Sequence, residues 1–204
     1  MLQETFTELA TQYTPDTHLI GTCWHGLEKN HSAKGRHYHT LDHLQSLLRE
    51  LDAVRSHIHD WNTILFTLFY HDAIYNAQKS DNEEKSAALA EKRLHEMTVP
   101  TDIIVRCKTQ ILATKKHLPD QDSDTNYFTD ADLSILGQPW DIYNLYAQNV
   151  RKEYRIYPDL IYKPGRRKVL QHFLSMERIY KTDEFFRKYE AAAKQNMQME
   201  LKNL

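Results

Sequence analysis

The sequence contains few residues that interrupt helices: five glycines and six prolines among 204 residues. Charged residues make up 26% and carry both signs, so the composition favours a soluble helical protein. Cysteine is also scarce. Cys23 and Cys107 have no metal-ligand spacing, and we expect both to be reduced and unpaired in a cytosolic protein.

Two further features are missing from the sequence. No segment approaches the roughly 20 apolar residues of a membrane-spanning helix. The N-terminus lacks the basic region and apolar run of a signal peptide, so we expect a cytoplasmic location. The formal net charge is −2, and it gives no basic excess. We therefore expect neither a membrane-surface protein nor a nucleic-acid-binding protein.

Apolar residues recur at helical spacing along most of the chain and predict an all-α fold. We find no alternation typical of strands and no internal repeat. We predict a single domain over residues 1–204, with loops at 117–128 and 158–165. The predicted helices are 2–13, 41–58, 61–75, 82–97, 102–116, 130–136 (closed by Gly137), 140–155, 165–180 and 183–202, and the last can pack on the body or on another subunit.

His71 and Asp72 stand at the end of the most apolar stretch of the chain, in the predicted helix 61–75. An apolar helix has no structural need for this pair, whereas imidazole and carboxylate are common ligands of divalent metals. Helices 41–58 and 61–75 are joined by a short turn, so we expect them to pack antiparallel. This packing would bring His43, in the first turn of one helix, to the His-Asp pair.

Asp132, on a later short helix, would complete a set of two histidines and two carboxylates. Such a set leaves coordination positions open for water, as catalytic metal sites do. Metal-bound water has a lowered pKa, which makes hydroxide available near neutral pH. The pattern therefore predicts a hydrolytic metal site.

In this order, His43, His71-Asp72 and Asp132 resemble the H…HD…D signature of the HD superfamily of metal-dependent phosphohydrolases. The flanking sequences resemble a bacterial branch of predicted HD phosphohydrolases, and the resemblance spans about residues 36 to 201. It implies an all-helical fold, one or two divalent ions and phosphoester hydrolysis, without naming a substrate. The flanks that carry it are Arg36 to His43, His71 to Tyr75 with Asn82-Glu83 and Ser86-Ala87, Asp130 to Gly137, Gly165 to Leu170, Ile179-Tyr180 and Glu190 to Asn196.

His39 lies four residues before His43. In cyclic-nucleotide phosphodiesterases, which share the superfamily pattern, the histidine at this spacing is the general acid toward the leaving oxygen. The resemblance thus implies a catalytic role for His39, and histidine suits it because its pKa lies near neutrality. The alternative is a surface or helix-capping histidine.

Glu83 and His117 fall where binuclear relatives have two further metal-binding histidines. His117 matches the second position, and Glu83 replaces the histidine of the first. Glu83 is therefore a candidate ligand of a second ion, a candidate general base, or an acid that complements the helix dipole. This departure leaves the number of metals open.

Phosphate binding requires positive charge, which arginine and lysine supply. Gly165-Arg166-Arg167 is the preferred candidate because we place it at a helix start, where anions are favoured. Each basic residue has the alternative of an ordinary solvated position. The candidates are Arg36, Lys115, Lys116, Lys163, Arg166 and Arg167.

We therefore expect a hydrolase whose metal-bound hydroxide cleaves a small phosphoester, with nucleotides among the candidate substrates. Mn, Mg, Co, Ni, Zn and Fe are the candidate metals. Two alternatives come from other classes: an HD-fold di-iron oxygenase, and a non-catalytic metal-binding module. The sequence leaves the substrate, the metal and the oligomeric state open.

Overall fold

The computed structural model describes residues 1–204 and contains ten α-helices and no β-strand, which confirms the all-α prediction. Two short 3₁₀ segments, Arg55–His57 and Leu133–Gly137, accompany them. None of the helices has the length and apolar character needed to cross a membrane. The helices are α1 (Leu2–Thr11), α2 (Thr17–His31), α3 (Leu41–Ala53), α4 (Trp61–Tyr70), α5 (Asn82–Glu96), α6 (Thr101–Ala113), α7 (Ser123–Asp132), α8 (Trp140–Glu153), α9 (Asp159–Ser175) and α10 (Asp183–Asn203).

The chain divides into two compact units, Met1–Thr129 and Asp130–Leu204, and the single domain stays a prediction. In the first unit α4 is central: every residue from Thr63 to Tyr70 is buried, and the helix packs against α1, α3, α5 and α6. Its nearly continuous apolar sequence predicted this position, because a helix that is apolar all round must be enclosed by others.

The second unit is organised around α10, which packs against the Leu133–Gly137 segment, α8 and α9. Tyr143, Tyr180 and Phe185 are among the largest fully buried side chains of this unit. A buried charged pair accompanies them, since Arg166 and Glu200 form two hydrogen bonds of 2.7 and 2.9 Å.

Helix α2 was not predicted from the sequence. Its buried residues Ile20, Cys23, Trp24, Leu27 and His31 nevertheless follow a helical period. Asp16 caps the helix by accepting a hydrogen bond from the backbone N–H of Leu19 at 2.9 Å. The helix ends at His31, whose side chain points into the core.

The loop predicted over 117–128 is wrong from Ser123 onward, where α7 begins. The acidic residues of this segment accept hydrogen bonds from backbone N–H groups and so stabilise the start of the helix. Asp122 accepts from the backbone N–H of Thr125 at 3.1 Å, as a helix-capping residue does. Asp124 accepts from the backbone N–H groups of His59 and Asp60 at 2.9 and 2.7 Å, and so fixes α7 to the start of α4.

The loop predicted over 158–165 is also wrong, because α9 begins at Asp159 and includes Pro164. Proline lacks the N–H of the helical hydrogen bond. The neighbouring turn is exposed at Leu160 and Ile161, so water can satisfy the carbonyl left without a partner. As a result, Gly165-Arg166-Arg167 lies inside a helix, and the expectation of a helix start there is wrong.

Both cysteines are free and buried, as expected from the sequence. Burial raises the pKa of the Cys107 thiol to about 12. Cys107 is therefore a protonated core residue at neutral pH rather than a reactive thiol.

Candidate metal centre

His71 is the residue directly after α4. It begins a turn, whereas the sequence placed it in the last turn of the helix. Its side chain is buried, and its Nδ1 lies 3.0 Å from the carbonyl oxygen of Leu68. A carbonyl oxygen can only accept, so Nδ1 carries the proton of the neutral imidazole. The Nε2 atom of His71 then carries the lone pair, as metal-binding histidines require.

His43 lies in the first turn of α3, close to His71 and Asp72. The sequence predicted this proximity from the antiparallel packing of the two helices. The two histidine Nε2 atoms lie 3.4 Å apart. Asp72 Oδ2 lies 3.3 Å from His71 Nε2 and 3.9 Å from His43 Nε2. His43 and His71 are buried, while the Asp72 side chain keeps about 20% of its surface exposed.

Asp132 is the last residue of α7, a continuous helix whose residues up to Thr129 belong to the first unit. His43, His71 and Asp132 each offer a ligand atom, and these atoms all lie within 4.8 Å of one another. Asp72 is not a member of this group of three, although its Oδ2 lies beside both histidines. We call His43, His71, Asp72 and Asp132 the HD cluster.

The chemistry of these donors fits a divalent cation. The unprotonated Nε2 of His71 faces a second imidazole nitrogen at 3.4 Å, and two lone pairs at this distance repel unless a proton or a cation lies between them. The carboxylates of Asp72 and Asp132 place negative charge beside buried imidazoles. A cation bound there would compensate this charge. A mixed nitrogen and oxygen set suits Mn, Fe, Co, Ni or Zn better than Mg, which prefers oxygen alone.

His39, the candidate general acid, lies just before α3. Its Nε2 is 3.9 Å from Asp72 Oδ2, and its side chain is 19% exposed. The ring stacks on that of Tyr75, with centroids 4.1 Å apart. His39 is therefore next to the HD cluster and partly exposed, which is the position that a proton-transferring group needs.

Glu83 and His117 do not belong to the close group of three ligand atoms. Glu83 lies in the first turn of α5, 3.9 Å from Lys115 Nζ. Lys115 also bonds Glu84 and the carbonyl oxygen of Ser80, and so joins the start of α5 to the end of α6. His117 follows α6 with a backbone φ of 51°, a conformation uncommon for residues other than glycine.

The candidate phosphate-binding residues have different surroundings. The Arg36 guanidinium donates to backbone carbonyl oxygens near the HD cluster. Arg166 is buried and bonded to Glu200. Lys116 and Arg167 are exposed, as are Lys115 and Lys163. Their role in phosphate binding stays a prediction.

His31 is a residue that sequence reasoning missed. It is 1% exposed, and its Nδ1 lies 3.3 Å from Arg36 Nη1. Nη1 in turn lies 2.7 Å from the carbonyl oxygen of Asp72, so only one guanidinium nitrogen separates His31 from the HD cluster. The helical period of α2 was the available signal for a buried residue at this position.

No protein-family model, curated protein or solved structure matches this chain. A functional assignment therefore depends on the residues of the HD cluster and their geometry.

The buried His31 predicts a pH-dependent loss of stability. Burial and the adjacent Arg36 guanidinium lower its pKa from 6.5 to about 3. Between these two values the unfolded chain binds the proton and the folded chain does not, so stability falls as the pH drops below 6.5. From pH 8 to pH 5 the contribution of His31 is a loss of about 2 kcal/mol, measurable by urea unfolding.

The control is His31→Asn, which removes the titrating group and retains a hydrogen-bond acceptor. Its stability should fall less than that of the wild type between pH 8 and pH 5. His95→Asn, at an exposed position of α5, should leave the wild-type pH dependence unchanged. Equal pH dependence in the wild type and His31→Asn would contradict the prediction.

Proposed function

We propose that the protein is a metal-dependent phosphohydrolase that cleaves a small phosphoester. The observation that carries the proposal is the unprotonated Nε2 of His71, fixed by Leu68 and facing His43 beside a carboxylate. The ordered resemblance to HD phosphohydrolases supports the reaction class. A cytoplasmic location and a phosphorylated substrate such as a nucleotide belong to the same proposal.

In this proposal His43, His71, Asp72 and Asp132 would hold the ion. A bound divalent metal supplies a Lewis acid that activates water near neutral pH and offsets the charge of the phosphoryl oxygens. The Leu68 carbonyl holds the Nδ1 proton of His71 and so keeps Nε2 available. Phe128 packs its ring against His71, with centroids 5.4 Å apart, and excludes water from that side.

His39 is the group that we assign to proton transfer. Its side chain is 19% exposed, which gives it access to a substrate, and its Nε2 lies 3.9 Å from Asp72 Oδ2. A protonated His39 can deliver its proton to the leaving oxygen as the ester bond breaks. Stacking on Tyr75 holds the ring in one orientation while it does so.

The experiment that tests the proposal is metal analysis of the wild type and Asp72→Ala, with a panel of phosphoesters and nucleotides supplied with Mn²⁺, Mg²⁺, Co²⁺ or Ni²⁺ separately. We expect metal and turnover in the wild type and the loss of both in the variant. Asp141→Ala, at an exposed position of α8, is the matched control and should behave as the wild type.

Three outcomes would overturn the proposal. A wild-type protein that binds none of these metals would remove its basis. A protein that holds two iron ions and consumes oxygen, without hydrolysing any member of the panel, would favour the di-iron oxygenase instead. A closed coordination shell with neither activity would favour a non-catalytic metal-binding module.

A further inference from the structure

We propose that Arg36 and His31 are positioning residues of the HD cluster: Arg36 joins the backbone segments on which its ligands lie, and His31 orients Arg36. This inference deepens the proposed function and depends on it. It also gives Arg36 a role different from the phosphate binding expected from the sequence.

The Arg36 guanidinium makes hydrogen bonds to three backbone carbonyl oxygens. Nη1 donates to His39 at 3.0 Å and to Asp72 at 2.7 Å, and Nη2 donates to Ala73 at 3.0 Å. His39 lies just before α3, whereas Asp72 and Ala73 form the turn after α4. One side chain therefore connects the segment that leads into His43 with the turn that carries His71 and Asp72.

Arginine suits this task because its guanidinium presents several donors in a rigid plane. The carbonyl groups of Asp72 and Ala73 lie in the turn after α4, outside the helical hydrogen-bond pattern, and Arg36 supplies donors to both. Lysine provides a single charged point on a flexible stem and cannot reproduce this set of bonds. The requirement for arginine is thus a requirement of geometry as well as of charge.

His31 contacts the same guanidinium nitrogen, with Nδ1 3.3 Å from Arg36 Nη1. Nη1 carries two hydrogens for three acceptors, so His31 shares one of them with a backbone carbonyl oxygen. Because arginine can only donate, Nδ1 of His31 is the acceptor in this shared bond, and the proton of the neutral ring lies on Nε2. His31 stands at the end of α2 and is buried, which makes it a fixed point against which Arg36 is held.

The Nε2 atom of His31 provides an independent reason for this assignment. It is buried and has no hydrogen-bond partner. A buried donor without a partner is destabilising, and an apolar residue at this position would not have this unpaired donor. The hydrogen bond between His31 Nδ1 and Arg36 compensates for the unpaired donor at Nε2.

The test measures Mn²⁺ affinity in the wild type, Arg36→Lys, His31→Phe and His31→Asn. Removal of groups that orient metal ligands typically weakens metal binding by 10- to 100-fold. We expect Arg36→Lys and His31→Phe to weaken Mn²⁺ binding at least about tenfold. His31→Asn retains an acceptor near the Nδ1 position and should stay within about threefold of the wild type.

Unchanged Mn²⁺ affinity in both Arg36→Lys and His31→Phe would overturn the inference while leaving the proposed function intact. Arg36→Lys that binds Mn²⁺ normally but binds inorganic phosphate more weakly would instead support the phosphate-binding role. Equal weakening in His31→Asn and His31→Phe would contradict the orienting role of Nδ1. Thermal unfolding of each variant identifies any change that reflects loss of folding.

Two further measurements require no metal. Long-range ¹H–¹⁵N spectra of imidazole-labelled protein report the tautomer of His31, and a proton on Nδ1 would overturn the assignment. Amide hydrogen exchange should become faster in segments 37–43 and 71–75 of Arg36→Lys, because both lose bonds to the guanidinium. Unchanged exchange in these segments would also overturn it, even if the wild type bound no metal and the proposed function failed.

Discussion

Replacing His71 with alanine should weaken Mn²⁺ binding by at least about a hundredfold, which corresponds to about 2.7 kcal/mol. The side chain supplies a lone pair at Nε2 that faces His43 at 3.4 Å and Asp72 at 3.3 Å. The backbone positions this ligand in advance, because the Leu68 carbonyl accepts the Nδ1 proton.

Titration of free Mn²⁺ against the wild type and the variant measures the effect. Alanine also leaves a cavity at a buried position, so His71→Asn provides a second variant. The asparagine amide can still donate to Leu68, but it cannot reach the Nε2 position. If both variants bind Mn²⁺ equally weakly, and the exposed control His95→Ala binds it as the wild type does, the loss is due to the missing imidazole ligand. Wild-type affinity in His71→Asn would contradict its role as a ligand.

The convergence of His43 with His71 and Asp72 could be predicted from the sequence because it depends on local geometry. Two helices joined by a short connection pack antiparallel, so the start of one meets the end of the other. The apolar sequence of α4 likewise determines its central position. Helical periodicity and chain connectivity are sufficient for both predictions.

The environments of the basic residues could not be predicted, since they depend on packing between residues far apart in the sequence. Arg166 lies 34 residues from Glu200, its buried partner. Arg36 lies 36 residues from Asp72, whose carbonyl oxygen it binds. Sequence indicates that an arginine is present, and the fold decides whether its donors face solvent, a carboxylate or the backbone.

Local composition led to wrong predictions where acidic residues and proline favoured a loop. At the start of α7, Asp122 and Asp124 accept hydrogen bonds from backbone N–H groups, including distant ones. Pro164 is accommodated in α9 beside an exposed turn. Composition describes what a residue favours on average, whereas the available donors and solvent determine its role at a given position.

Substitution of Gly137 is the second change for which we expect a large effect, in this case on stability. The sequence predicted that Gly137 ends a helix, whereas the structure requires glycine there for close packing. A Cβ atom at this position would lie 2.6 Å from Tyr189 Cβ and 2.8 Å from the Tyr189 carbonyl oxygen. The segment is also held in place: Asn196 donates to the carbonyl oxygens of Leu136 and Gln138, at 2.9 and 2.8 Å. Backbone movement away from α10 would break these two bonds.

We therefore expect Gly137→Ala to lower the free energy of unfolding by about 3 kcal/mol and the Tm by about 10 °C. Gly165→Ala is the matched control, because Gly165 lies inside α9 and a methyl group added there would meet no atom within 4 Å. Alanine there should raise the stability by up to about 1 kcal/mol, since it favours the helical conformation. The same substitution thus has opposite signs at the two sites. A Gly137→Ala protein as stable as the wild type in thermal unfolding would show that the contact with Tyr189 can relax, and that glycine is not required there.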